Sequence, residues 1–253
     1  MDSEHPVFEA DLSADQRGYS RYEKIYLVLA AAFVTCLVLT NIIGIKLFQA
    51  PFKPSFALTT GIITYPVTFL ITDIVSEIYG KKRADFMVLI GFVMSLLMLV
   101  IVQVALHVTP HEYWSSGSPP VYSSPEEYQT AFRSVFGLGP ILVFGSMTAY
   151  LCAQLCDNFM FHWWKKKTAG KHLWLRNNGS TWISQLVDTA IVNSILFYIG
   201  FKMDFGTGVK IMATIYVYKL IIAALDTPFV YLGVWAVKRG LRGEHMSEAE
   251  AET

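Results

Sequence analysis

The chain has 253 residues, of which 53% are hydrophobic and 16% charged, with a formal net charge of zero. A mean hydropathy of +0.42 is above the ordinary range of soluble domains, and no basic excess is present to form a nucleic-acid-binding face. The few charges cluster at the ends of apolar runs, the arrangement that sets membrane topology.

Residues 1–24 are polar, with Asp2, Glu4, Glu9, Asp11 and Asp15 near the start, and no cleavable signal peptide is expected there. This segment reads as a polar tail, and so does 241–253, which ends in GEHMSEAEAET. Between them, 25–240 reads as one transmembrane domain. Crossing about 30 Å of hydrocarbon takes roughly 20 mostly apolar residues. Six stretches qualify: 25–48, 56–79, 86–108, 135–161, 182–201 and 208–236. The expected fold is therefore an all-α integral membrane protein with six transmembrane helices in one bundle. The second and fifth stretches are the least hydrophobic, because each carries an acid and several hydroxyls. A re-entrant or broken helix is the alternative for one of them.

Lys and Arg near helix ends stay on the cytoplasmic side. With the N-terminus inside, the inner segments hold Arg17, Arg21, Lys24, Lys81, Lys82, Arg83, Lys165, Lys166, Lys167, Lys171, Arg176, Lys238, Arg239 and Arg242. The outer segments hold only Lys46, Lys53, Arg133, Lys202 and Lys210. This asymmetry predicts six spans with both termini cytoplasmic, in a multi-pass membrane protein. The longest outer segment, 111–133, contains EYWSSGSPPVYSSPEEY. It reads as a surface loop with interfacial aromatics, with a lid over an entrance as the alternative. Asn178-Gly179-Ser180 matches a glycosylation acceptor but falls on the inner side.

Charges within a bilayer are costly and usually face a cavity or a partner. Asp73, Asp157, Asp188, Lys219 and Asp226 lie within the apolar stretches, and Glu77 lies nearer an end. Asp73 and Glu77 are spaced i,i+4 with Ser76 beside them; Gln154 and Asp157, and Gln185 and Asp188, are spaced i,i+3. Lys219 and Asp226 are two turns apart on one face with Ala223, and Tyr216 extends that stripe. The stripe is expected to face the bundle interior, where Lys219 and Asp226 neutralise each other, directly or through substrate or water. At about 1.5 Å of rise per residue, the four aspartates fall in the inner half of their spans and Lys219 near the middle. Thr40, Asn41 and Asn193 lie in the outer half. Acids converging from four helices suit a binding cavity. Gln-Leu-x-Asp, present at Gln154–Asp157 and Gln185–Asp188, offers an amide beside a carboxylate, a combination that fits an amino-pyrimidinone edge.

Cys36, Cys152 and Cys156 lie in apolar runs without metal-ligand spacing, and read as small buried hydrophobes. His107, His111, His162 and His172 read as interfacial. No metal and no cofactor is expected. There is no G-x-x-x-x-G-K-[ST] phosphate loop, H-E-x-x-H helix or G-x-S-x-G elbow. Any transport by such a chain would thus be passive, ion-coupled or driven by another subunit, and no enzyme motif is apparent.

The run ITDIVSEIYGKKRAD, the SQLVDT of the fifth stretch and the K-x6-DTP of the sixth resemble the queuosine precursor transporter family, earlier described as vitamin uptake transporters. The resemblance covers about 25–240. It implies import of 7-deazaguanines, such as 7-cyano- or 7-aminomethyl-7-deazaguanine or queuine, for tRNA modification. It carries onto Asp73, Glu77, Gln185, Asp188, Lys219 and Asp226 as the polar positions of the matching motifs; their chemistry makes these the expected substrate-binding residues, with Asn41, Gln154, Asp157, Asn193 and Tyr216 as secondary candidates. The expected partners are the 7-deazapurine, the lipid bilayer and a second copy of the chain in a homodimer. The competing readings are a substrate-binding subunit of an ATPase-driven vitamin importer and an intramembrane enzyme using paired acids on a lipid.

Overall fold

The computed structural model describes residues 19–44, 46–50, 53–114, 121–137, 140–200 and 202–251. The first 18 residues of the expected N-terminal tail lie outside these. Helix α1 (Arg21–Ile43) opens with a capping box: the Ser20 hydroxyl accepts from the Glu23 amide at 3.3 Å while the Glu23 carboxylate accepts from the Ser20 amide. It ends at Gly44, earlier than expected. The chain then forms an antiparallel hairpin of β1 (Leu47–Ala50) and β2 (Lys53–Thr59). The expected first and second stretches both run into this hairpin. Hydropathy does not distinguish an apolar strand from an apolar helix, whereas Pro54 in the second strand resists helix continuation.

Helix α2 (Gly61–Ile78) is joined to α3 (Lys81–His107) by a tight turn at Gly80, whose φ of +82° favours glycine. The segment 111–133, expected to form an outer surface loop, is not featureless. It contains α4 (Pro125–Phe136), with the Ser124 hydroxyl accepting from the Glu127 amide and Pro125 in the first turn. Gln129 and Arg133 of α4 both donate to the Leu106 carbonyl, at 2.9 and 3.2 Å, and so cap the end of α3. Trp114 packs on Tyr128 at 4.7 Å between ring centroids. Residues 115–120 of this segment lie outside the described residues.

Helix α5 (Pro140–Lys167) leads through a turn with positive φ at Ala169, Gly170 and His172 into α6 (Leu173–Ser194). A π-helical segment, Ile195–Gly200, extends α6. The fifth stretch is expected to begin near 182; the helix begins nine residues earlier. Its first turns are polar, and their side chains are buried against neighbours rather than solvated, so hydropathy alone reads them as loop. Helix α7 (Phe205–Ala251) contains Pro228 and continues through most of the expected C-terminal tail.

Among the described residues, four helices are long and apolar enough to cross a membrane: α1, α3, α6 with its extension, and α7. The burial pattern is inverted relative to a soluble protein. Leu27, Val28, Val93, Val100, Ile101, Phe229 and Leu232 face outward, while Thr72, Asp73, Gln154, Asp157, Asn158, Ser184 and Gln185 are buried. Apolar side chains gain by facing lipid, and polar ones must find partners inside. One apolar cluster, built on Phe33, Leu37, Val75, Met87, Val88 and Tyr150, joins α1, α2, α3 and α5. A smaller one, Ile74 with Val230 and Val234, joins α2 to α7.

Candidate functional site

Helix α6 supplies the floor of the polar interior. Asn177, Thr181, Ser184 and Asp188 recur at helical spacing, and each is buried with Ser180, Gln185 and Thr189. A face so polar is stable only against matching groups, and α2, α5 and α7 provide them. Tyr65 of α2 donates its hydroxyl to Gln185 Oε1 at 2.7 Å. Lys219 of α7 forms an ion pair with Asp188 and places its ammonium 5.2 Å from the Tyr65 ring centroid. Ser184 donates to Asp157 Oδ1 at 2.9 Å, and Thr72 donates to Gln154 Oε1 at 3.4 Å. Asp73 and Asp157 lie side by side across α2 and α5, between the Thr72–Gln154 bond and a Ser76–Asn158 bond at 3.2 Å. Asp226 of α7 approaches Asp73 and is half-buried.

Toward the end that carries the basic clusters, Glu77 takes two cations: Lys165 at 2.9 Å and Arg176 at 2.8 Å. Arg176 is only 1% exposed. It also donates to the carbonyls of Gly170 and Lys171 and lies over the Phe161 ring. Beyond this cluster opens a cavity of about 550 Å³, lined by Glu77, Arg176, His172, Trp174, Tyr231 and Lys238.

The structure thus brings Asp73, Gln154, Asp157, Gln185, Asp188, Lys219 and Asp226 into one interior layer, with Glu77 at its edge. The expected Lys219–Asp226 neutralisation is not what forms. Both residues share a face of α7, but Lys219 reaches across to Asp188, because a partner on a facing helix lies closer than one two turns away along the same helix. Tyr216 does not join them: its hydroxyl donates to the Trp182 carbonyl at 3.0 Å on an exposed face. Asn41 is bonded to Ser95 of α3 at 3.2 Å, and Asn193 to the Thr189 carbonyl, so neither meets the acids through these bonds. Sequence reasoning missed Tyr65, Thr72, Ser184 and Arg176. Arg176, Ser180, Ser184 and Asp188 recur every four residues, a stripe that would have exposed the first as interior. Cys36, Cys152 and Cys156 are free, but Cys152 is exposed and the other two are half-buried, so they are not the buried hydrophobes expected; among the described residues no group of side chains is placed to hold a metal.

Residues 59–233 match the family described as "Putative vitamin uptake transporter". The chain belongs to that family. Every side chain of the polar layer lies within the matched residues, on α2, α5, α6 and α7. The chain is also similar to a curated protein of Bacillus subtilis (strain 168) named "Probable queuosine precursor transporter", with 27% identity over 215 residues, covering 84% of this chain and 85% of the relative. No solved structure matches. Membership makes this a transporter-family protein. The inverted burial pattern and the apolar helices agree with a multi-pass membrane protein.

Proposed function

We propose that the chain imports 7-deazaguanine queuosine precursors, such as 7-cyano- or 7-aminomethyl-7-deazaguanine or queuine, across the bacterial inner membrane. The name of the Bacillus relative supports the substrate class. The basic clusters support six spans, formed by α1, α2, α3, α5, α6 and α7, with both termini cytoplasmic. In this reading 25–240 is the transport domain, and α4 lies at the outer surface.

The observation that carries the proposal is the Lys219–Asp188 pair with Gln185 and Tyr65 beside it. A 7-deazaguanine presents a carbonyl acceptor next to two N–H donors on its pyrimidinone edge. A Lys–Asp pair presents the complementary donor and acceptor, and an aromatic ring alongside suits a flat heterocycle. Asp226 supplies the second negative site that an aminomethyl cation at C7 requires. Glu77, by contrast, is already neutralised by Arg176 and Lys165.

Uptake of labelled 7-deazaguanines by cells that cannot make them tests the reading. Hydrogen bonds to charged groups contribute about 1.5–3 kcal/mol each, so Asp188→Asn should weaken apparent affinity by about one to two orders of magnitude. Asp226→Asn should selectively weaken uptake of the aminomethyl compound. Unchanged affinity in both variants at wild-type expression would refute the site.

A further inference from the structure

The buried cations of the interior are committed. Lys165 and Arg176 neutralise Glu77, and Lys219 neutralises Asp188. Asp73, Asp157 and Asp226 receive no ion pair among the described residues. Asp73 and Asp157 are 1% and 0% exposed, and they lie side by side between the Thr72–Gln154 and Ser76–Asn158 bonds that join α2 to α5. Asp73 Oδ1 and Asp157 Oδ2 are buried and accept no hydrogen bond from any side chain or amide among the described residues. The hydroxyl donor that does reach the pair, from Ser184, serves Asp157. Two ionised carboxylates in contact in a low-dielectric interior repel, and one proton between them converts repulsion into a hydrogen bond.

We infer that the Asp73–Asp157 pair is a proton-binding site, and that the bundle closes around its polar layer only with that proton aboard, so that import is coupled to proton entry. The titratable groups facing the pair are Glu77 on α2, Cys156 on α5, Asp226 on α7 and, beyond Tyr65, Asp188 on α6. Glu77 lies one turn from Asp73, about 6 Å along the axis, and also lines the 550 Å³ cavity. The proton therefore leaves the pair toward that cavity, past Asp226 and Glu77, when the layer opens inward. It enters as a proton and leaves as one, with no co-reactant. The coupling rests on the transport reading above; the proton site itself does not.

Two measurements test this on the full chain. Infrared spectra of purified protein in light and heavy water should show, at neutral pH, a protonated-carboxyl band that shifts on deuteration. Asp73→Asn and Asp157→Asn should each abolish it, and Ser184→Ala, which keeps both acids, should shift it. Absence of the band in the wild type, or its survival in both Asn variants, overturns the proposal. In voltage-clamped phosphatidylethanolamine–phosphatidylglycerol vesicles, a one-unit pH step should accumulate neutral 7-cyano-7-deazaguanine about tenfold if one proton enters per substrate. Substrate exchange without gradient-driven accumulation overturns the coupling and leaves the precursor reading intact. No exchange of this compound, of its 7-aminomethyl counterpart or of queuine, with the band present, overturns the precursor reading and supports the proton site.

Discussion

Replacing Lys219 by methionine removes the cation facing Asp188 and leaves the stem's volume in place. The two side chains are 18% and 12% exposed, so the remaining carboxylate stays largely out of water. Breaking a buried pair by deleting one partner costs about 3–5 kcal/mol. The residual exposure argues for the lower end, about 3 kcal/mol. For a chain of this size each kcal/mol shifts the unfolding midpoint by about 2–4 °C, so Lys219→Met should lower it by about 6–12 °C. Adding Asp188→Asn removes the stranded charge and should restore most of that loss, giving a large coupling in a double-mutant cycle. Thermal unfolding of the purified variants in detergent measures all four corners. A single variant within about 2 °C of wild type refutes the buried-pair argument. Rescue of Lys219→Met by Asp226→Asn and not by Asp188→Asn would show that the lysine pairs along its own helix.

Reporter fusions after Arg83, Arg176 and Arg242 should report cytoplasm, and one near Ser118 the outside; a cytoplasmic signal at Ser118 overturns the six-span topology. Tyr65→Phe keeps the ring and removes the hydrogen bond to Gln185, worth about 1 kcal/mol, and should raise the KM for precursor about fivefold; an unchanged KM would remove Tyr65 from the site. Gly91→Val should destabilise by about 1–3 kcal/mol, because a Cβ there meets Phe33, Leu37 and the Tyr150 hydroxyl at 2.7–2.9 Å. A thermal midpoint unchanged from wild type would show that α1, α3 and α5 pack less closely than the structure has them.

The acids were legible in the sequence because a charge in an apolar run is too costly to leave facing lipid and so marks an interior position. Their convergence followed from placing each on a span of known rise. Pairing was not legible. Spacing shows which residues share a helix face, as with Lys219 and Asp226, but not which facing helix lies nearest, and that decided in favour of Asp188. Arg176 was hidden for a related reason. It lies in a polar stretch that hydropathy assigns to a loop, and only the packing of α6 against α5 shows that the stretch is buried. The hairpin at Leu47–Thr59 was missed because short apolar runs look alike in either conformation.

Pro228 follows Asp226 by two positions. It has no N–H to give to the carbonyl of Ala224, so the backbone ladder of α7 is interrupted there. The stretch before it is tethered through Lys219 to α6, and the stretch after it is clamped to α2 by Val230 and Val234 against Ile74. Thr227, between Asp226 and Pro228, accepts from Asn178 of α6 at 2.6 Å, so the interrupted turn is itself held to α6. The weakened ladder therefore sits beside Asp226, and a bend there would have to give up the Asn178–Thr227 bond.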